Sequence, residues 1–172
     1  MRYLSIAALC SLMLAAPPVP RTADPLTIAE ASGKKVPLST YKGKVVLVQF
    51  LSTTCQHCQQ AARIYSKLQN ELGPNGFQAV GIAFNDEVQN APSVLHDFVK
   101  QNSLNFPVGA ATRQSVLNYL GFSLMEMVRV PQIMIIDRKG IVRVQSQSQG
   151  SPELQDQVHL RPLLSGLLQE SK

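Results

Sequence analysis

Two cysteines carry the chemistry that this chain can perform. Cys55 and Cys58 stand three residues apart in the stretch Ser52-Thr53-Thr54-Cys55-Gln56-His57-Cys58, and the only other cysteine, Cys10, lies in an apolar N-terminal segment. One close pair is too few and too tightly spaced for a structural disulfide framework, and so short a loop gains little from closure entropy. A zinc site needs further ligands, yet His96 and His159 lie far along the chain with no paired spacing. Covalent haem attachment needs histidine directly after the second cysteine, where Gln59 stands. A redox pair is the reading that survives, and it calls for neither a metal nor a cofactor.

The elements around the pair agree with that chemistry. Val45-Val46-Leu47-Val48-Gln49-Phe50-Leu51 is a nearly continuous apolar run of the kind found in central strands covered on both faces. After the N-cap candidates Ser52, Thr53 and Thr54, the spacing of Cys58, Ala61, Ala62, Tyr65, Leu68 and Leu72 predicts a helix ended by Gly73-Pro74. Cys55 then sits at a helix N-terminus, where the helix dipole favours a thiolate and so a nucleophile. Cys58, one turn deeper on the same side, would resolve a mixed disulfide. His57, between them, is expected to stabilise the Cys55 thiolate.

Further elements follow by pattern. Residues 27–28 and 36–38 flank a turn at Ser32-Gly33-Lys34, giving an N-terminal hairpin. Phe77 to Phe84 reads as a second buried strand, and Val94 to Val99 as part of a helix. Residues 132–136 and 141–144 alternate around Asp137-Arg138-Lys139-Gly140 as an antiparallel hairpin. Ser151-Pro152-Glu153 opens a C-terminal helix with Leu154, Val158, Leu164, Leu167 and Leu168 on its apolar face, and Pro162 should kink or divide it.

The order of these elements resembles the thioredoxin fold, with a closer likeness to the exported TlpA/ResA-type branch of the AhpC/TSA redoxins. Residues 43–50, Cys55-Gln56-His57-Cys58, Gly81 to Glu87, Val130-Pro131 and Ile135 to Gly140 carry the likeness. It implies an α/β fold, a thioredoxin-like three-layer sandwich with a central mixed sheet and an N-terminal hairpin extension. It also implies a cis Val130-Pro131 bond facing the cysteines, with Val130 and Thr54 touching the substrate and Pro131 counted with the catalytic set. The activity implied is thiol–disulfide exchange with protein cysteines and an unidentified redox donor or acceptor. A redoxin-type peroxidase and a copper or metal chaperone are the alternatives. Against the peroxidase, Val48 and Pro131 occupy positions where peroxiredoxins place the proline and arginine of their site. Gln49 stands in the position of thioredoxin's buried acid and Ala61 in that of a glutamate common in ResA-type proteins. Asp86 or Glu87 is therefore the candidate proton acceptor for Cys58.

The 172 residues, 45% hydrophobic and 16% charged, provide for one domain with a sizeable core. The net charge of +5 is scattered and tryptophan is absent, unlike the basic, aromatic-interleaved stripes of nucleic-acid binders. Met1-Arg2 followed by the apolar run Tyr3–Leu14 and Ala15-Ala16 has the layout of a secretory signal. Residues 1–25 are accordingly expected to be a signal peptide or membrane anchor and residues 26–172 the thioredoxin-like domain. Leu9 before Cys10 argues against lipidation. The expected location is extracytoplasmic, in a bacterial periplasm, secreted or anchored.

Overall fold

The computed structural model describes residues 17–170. Most of the segment expected to be a signal or anchor, Cys10 included, lies outside those residues.

The strand read from the apolar run, Val45–Leu51, is buried along its whole length. Its side chains alternate between two cores, as a period of two requires. Val45, Leu47 and Leu51 enter the core that holds Cys58. Val46, Val48 and Phe50 enter the opposite one. Burying each such side chain contributes roughly 1.5–3 kcal/mol, so two faces of apolar residues make this the anchor strand.

In chain order the strands are β1 (Arg21–Thr22), β2 (Thr27–Glu30), β3 (Lys35–Pro37), β4 (Val45–Leu51), β5 (Phe77–Ala83), β6 (Val108–Ala110), β7 (Gln132–Ile136) and β8 (Ile141–Gln145). They form one mixed sheet in the order β1-β8-β7-β4-β5-β6-β2-β3. The helices are α1 (Gln56–Leu72), α2 (Asp86–Asn90), α3 (Ser93–Gln101), α4 (Arg113–Leu120) and α5 (Gln157–Gln169). The parallel neighbours β4 and β5 require a crossover, which α1 supplies. α1, α3 and α5 cover one face of the sheet, and α4 with the β2–β3 hairpin covers the other. This is the three-layer arrangement expected, with the hairpin joined to β6 at the sheet edge.

Four features differ from the sequence reading. β1 pairs with β8 ahead of residue 26, and Arg21 donates to the Tyr119 carbonyl at 3.1 Å and to Gln145 Oε1 at 3.0 Å. The folded unit therefore takes in residues that the sequence assigns to the leader. β6 and α4 carry no strong signal of their own. β6 has only three residues, and α4 is fixed by Thr112 capping Ser115 N–H and by Gly121 at φ +73°, beyond the helix end. Pro162 does not divide α5, which runs through it as one helix. The N–H that proline lacks would have met the carbonyl of Val158, on the solvent side of the helix. Val158 itself, expected on the apolar face, is 75% exposed.

Candidate active site

The last residue of β4 delivers the chain into Ser52-Thr53-Thr54, and α1 begins one residue after Cys55. Cys55 is the N-cap of that helix, and its Sγ accepts the backbone N–H of Cys58 at 3.2 Å. A donor aimed at sulfur stabilises the negative charge of a thiolate more than a neutral thiol. Cys55 is partly exposed, whereas Cys58 is fully buried, and both are free thiols. Burial, and next the hydrogen bond with Cys55, push the Cys58 thiol far above its ordinary value. The two sulfurs are therefore chemically unequal: one accessible and supplied with a donor, the other desolvated behind it.

The Val130-Pro131 peptide is cis, as expected. It arrives from 75 residues away and places the Val130 carbonyl 3.8 Å from Cys55 Sγ. Gln132 holds this approach. Its Nε2 donates to the carbonyls of Arg129 at 2.7 Å, Gln147 at 3.0 Å and Ser148 at 3.2 Å. Arg129 N–H adds a bond to Ser148 O at 2.9 Å. Polarity inside a strand that is otherwise Ile-Met-Ile-Ile is the only trace of this brace in the sequence.

Of the remaining expected site residues, Thr54 is exposed at the mouth, where its hydroxyl meets that of Ser52 at 2.9 Å. His57 is exposed on the first turn of α1 and makes no hydrogen bond to Cys55 among the described residues. Glu87 is also exposed, and Asn85 Nδ2 donates to its carboxylate at 2.7 Å, which holds that carboxyl below its usual range. It is tied to Asn85 and not to Cys58.

Three residues on which the sequence gave no functional reading support the site. Asn85 bridges to the loop before Cys55, accepting from Thr53 N–H at 3.1 Å and donating to Thr53 Oγ1 at 3.0 Å. Gln59 Nε2 donates to Thr53 O at 3.0 Å, closing the loop from the helix side. Gln49, fully buried on β4, donates from Nε2 to the Cys58 carbonyl at 2.9 Å, while its Oε1 is buried with no partner. A neutral amide thus occupies the inner side of the resolving cysteine. Tyr65, also fully buried, ties α1 to the segment before α5 through its hydroxyl and the Leu154 carbonyl at 2.8 Å.

A strand ending in a Cys-x-x-Cys helix, with a cis-proline loop set against the outer sulfur, defines a thioredoxin-like redoxin. The chain belongs to the AhpC/TSA family, whose model matches residues 19–145. Among curated relatives it is similar to the thiol-disulfide oxidoreductase ResA of Bacillus subtilis, 25% identical over 134 residues, 77% of this chain and 70% of the relative. ResA of Bacillus thuringiensis subsp. konkukian is 24% identical over 122 residues, 71% of this chain, and the match spans 65% of that relative's length. Among solved structures, a thiol:disulfide interchange protein of the thioredoxin family from Chlorobium tepidum TLS superposes with a TM-score of 0.71 at 22% identity, over 89% of this chain and 99% of that one. A thiol:disulfide interchange protein from Bacteroides sp. gives 0.71 at 18% identity, over 90% and 93%. These two likenesses establish the fold.

Proposed function

We propose that the protein is an exported thiol–disulfide oxidoreductase that exchanges disulfides with protein cysteines through Cys55 and Cys58. The observation that carries this reading is the inequality of the two thiols. Cys55 lies at the surface, with the Cys58 N–H at 3.2 Å and the Val130 carbonyl beside it, and Cys58 is enclosed behind it. In the reducing direction the Cys55 thiolate attacks a substrate disulfide, forming a mixed disulfide and releasing one substrate thiolate, which takes up a proton. Cys58 then loses its proton and attacks Cys55 Sγ, which frees the second substrate thiol and leaves the Cys55–Cys58 disulfide. The oxidising direction is the reverse. The Val130 backbone supplies a hydrogen-bonding edge for an extended substrate segment.

The ResA relatives and the layout of residues 1–16 support export, with a leader or anchor ahead of the folded unit. No helix among the described residues is long and apolar enough to cross a membrane.

Cys58→Ser tests the assigned roles. It should accumulate mixed disulfides through Cys55 when incubated with an oxidised protein, visible as reducible adducts in mass spectra. Equal trapping by Cys55→Ser would overturn the order of attack.

A second expectation concerns redox poise. The helix dipole and the Cys58 N–H favour the dithiol form, so the potential should lie above thioredoxin's value of roughly −270 mV. His57→Pro should lower it, because a nearby imidazolium also stabilises the thiolate. His57 is exposed, which screens its charge and makes the shift modest. Equilibration against glutathione reads both values, and a wild-type potential at or below thioredoxin's, unchanged in the variant, would contradict this.

A further inference from the structure

The loop between α4 and β7 leads straight into Val130, and it displays large apolar side chains to solvent. Leu124 is 50% exposed, Met125 94% and Met127 79%. The other large hydrophobics this exposed among the described residues, Val19 and Val158, lie elsewhere in the sequence. The ends of the loop are anchored without these side chains. Phe122 is buried in the core on the α4 face, and Arg129 is held to Ser148 by its backbone. Folding therefore does not account for the methionines.

We propose that Leu124, Met125 and Met127 form a docking surface for apolar residues that flank the target cysteine of a partner polypeptide. The inference rests on Cys55 being the attacking thiol, because the mixed disulfide then fixes where the partner lies. A polypeptide bonded to Cys55 Sγ passes the Val130 carbonyl, 3.8 Å from that sulfur. Three residues separate Met127 from Val130, so their Cα atoms are at most about 11 Å apart. An extended partner advances about 3.3 Å per residue, and positions three or four from its cysteine reach the methionines. The loop carries one acid, Glu126, and one base, Arg129, so it selects for apolar character and not for charge. Methionine's unbranched, polarizable side chain suits a surface that must accept several different apolar sequences. Apolar residues beside a cysteine are normally buried, so the favoured partner is an incompletely folded chain.

The test compares the wild type with Met125→Ser/Met127→Ser, whose altered side chains lie in solvent and leave the core intact. With insulin as the protein disulfide, KM should rise about tenfold with kcat unchanged, and turnover of hydroxyethyl disulfide should not change. Equal loss on both substrates, or no change on either, would overturn the docking surface. A noncovalent arm is independent of turnover. A short apolar peptide with serine in place of its cysteine should shift the Met125 and Met127 methyl resonances, and a polar peptide of the same length should not. Failure of that arm in an active enzyme removes the docking surface alone. A wild type inert toward both disulfides removes the oxidoreductase reading, and the peptide arm still decides the surface. A concentration-dependent dimer in solution that dissociates in the double variant would assign the patch to a second copy of this chain and overturn the proposal.

Discussion

Cys55→Ser is expected to lower the reduction of insulin disulfides by roughly a thousandfold or more, because it removes the nucleophile itself. A serine hydroxyl is un-ionised at neutral pH and forms no disulfide, so neither the first bond nor its later exchange can take place. The fold should survive, since Cys55 is only partly buried and serine is a good N-cap. The serine oxygen can still accept the Cys58 N–H that Cys55 Sγ receives at 3.2 Å. Loss of activity with an unchanged melting temperature would therefore locate the defect in chemistry. Alkylation of the reduced wild type gives a second reading of the same geometry. Iodoacetamide should label Cys55 quickly and leave Cys58, whose exposure is 0%, unmodified until the protein is unfolded. Faster labelling of Cys58 would reverse the assignment.

Gln49→Glu should make stability strongly pH-dependent. Gln49 is fully buried, its Nε2 donates to the Cys58 carbonyl at 2.9 Å, and its Oε1 has no partner. A protonated glutamic acid can replace that donor with its O–H. An ionised one cannot, and it faces the Cys58 carbonyl oxygen from a desolvated site. Both effects raise the folded-state pKa above the unfolded value of about 4.3. A raised pKa means that stability is complete below about pH 4.3 and is lost as pH rises through the folded value. Buried carboxyls shift by up to roughly 3–5 units, so the loss should reach about 4–5 kcal/mol by pH 8. That is a large part of the roughly 5–15 kcal/mol that holds a domain together. Urea melts at pH 5 and pH 8, run beside the wild type, decide the matter: an equal penalty at both would show that packing and not ionisation is responsible. The same carboxylate, once ionised, stands beside Cys58, whose desolvated thiol resists losing its proton. Near neutral pH the variant should resolve mixed disulfides faster than the wild type while being less stable.

These two expectations draw on different sources. That Cys55 and Cys58 stand at the junction of a central strand and a helix is legible in the sequence, because each element announces itself locally. The run from Val45 to Leu51 is apolar at every position but one, and its neighbour repeats apolar residues at helical spacing. The exception, Gln49, was visible as a departure from thioredoxin. Its role was not, because the bond to the Cys58 carbonyl depends on how α1 lies across β4. The same holds for Asn85 and Thr53, 32 residues apart, and for Gln132, whose three carbonyl partners come from two loops. The resemblance implied the meeting of Val130 with Cys55, and no local pattern could have done so, since β7 must first pair antiparallel with β4 to bring it there. β1 and β6 were missed for a related reason. Strands of two and three residues have too little periodicity to register, and they exist because β8, β5 and β2 offer them edges. Local periodicity thus determined the nucleophile, its helix and the class of fold. The sheet order decided which polar groups surround the sulfurs, and tertiary packing decided which apolar side chains, Met125 and Met127 among them, remain in solvent.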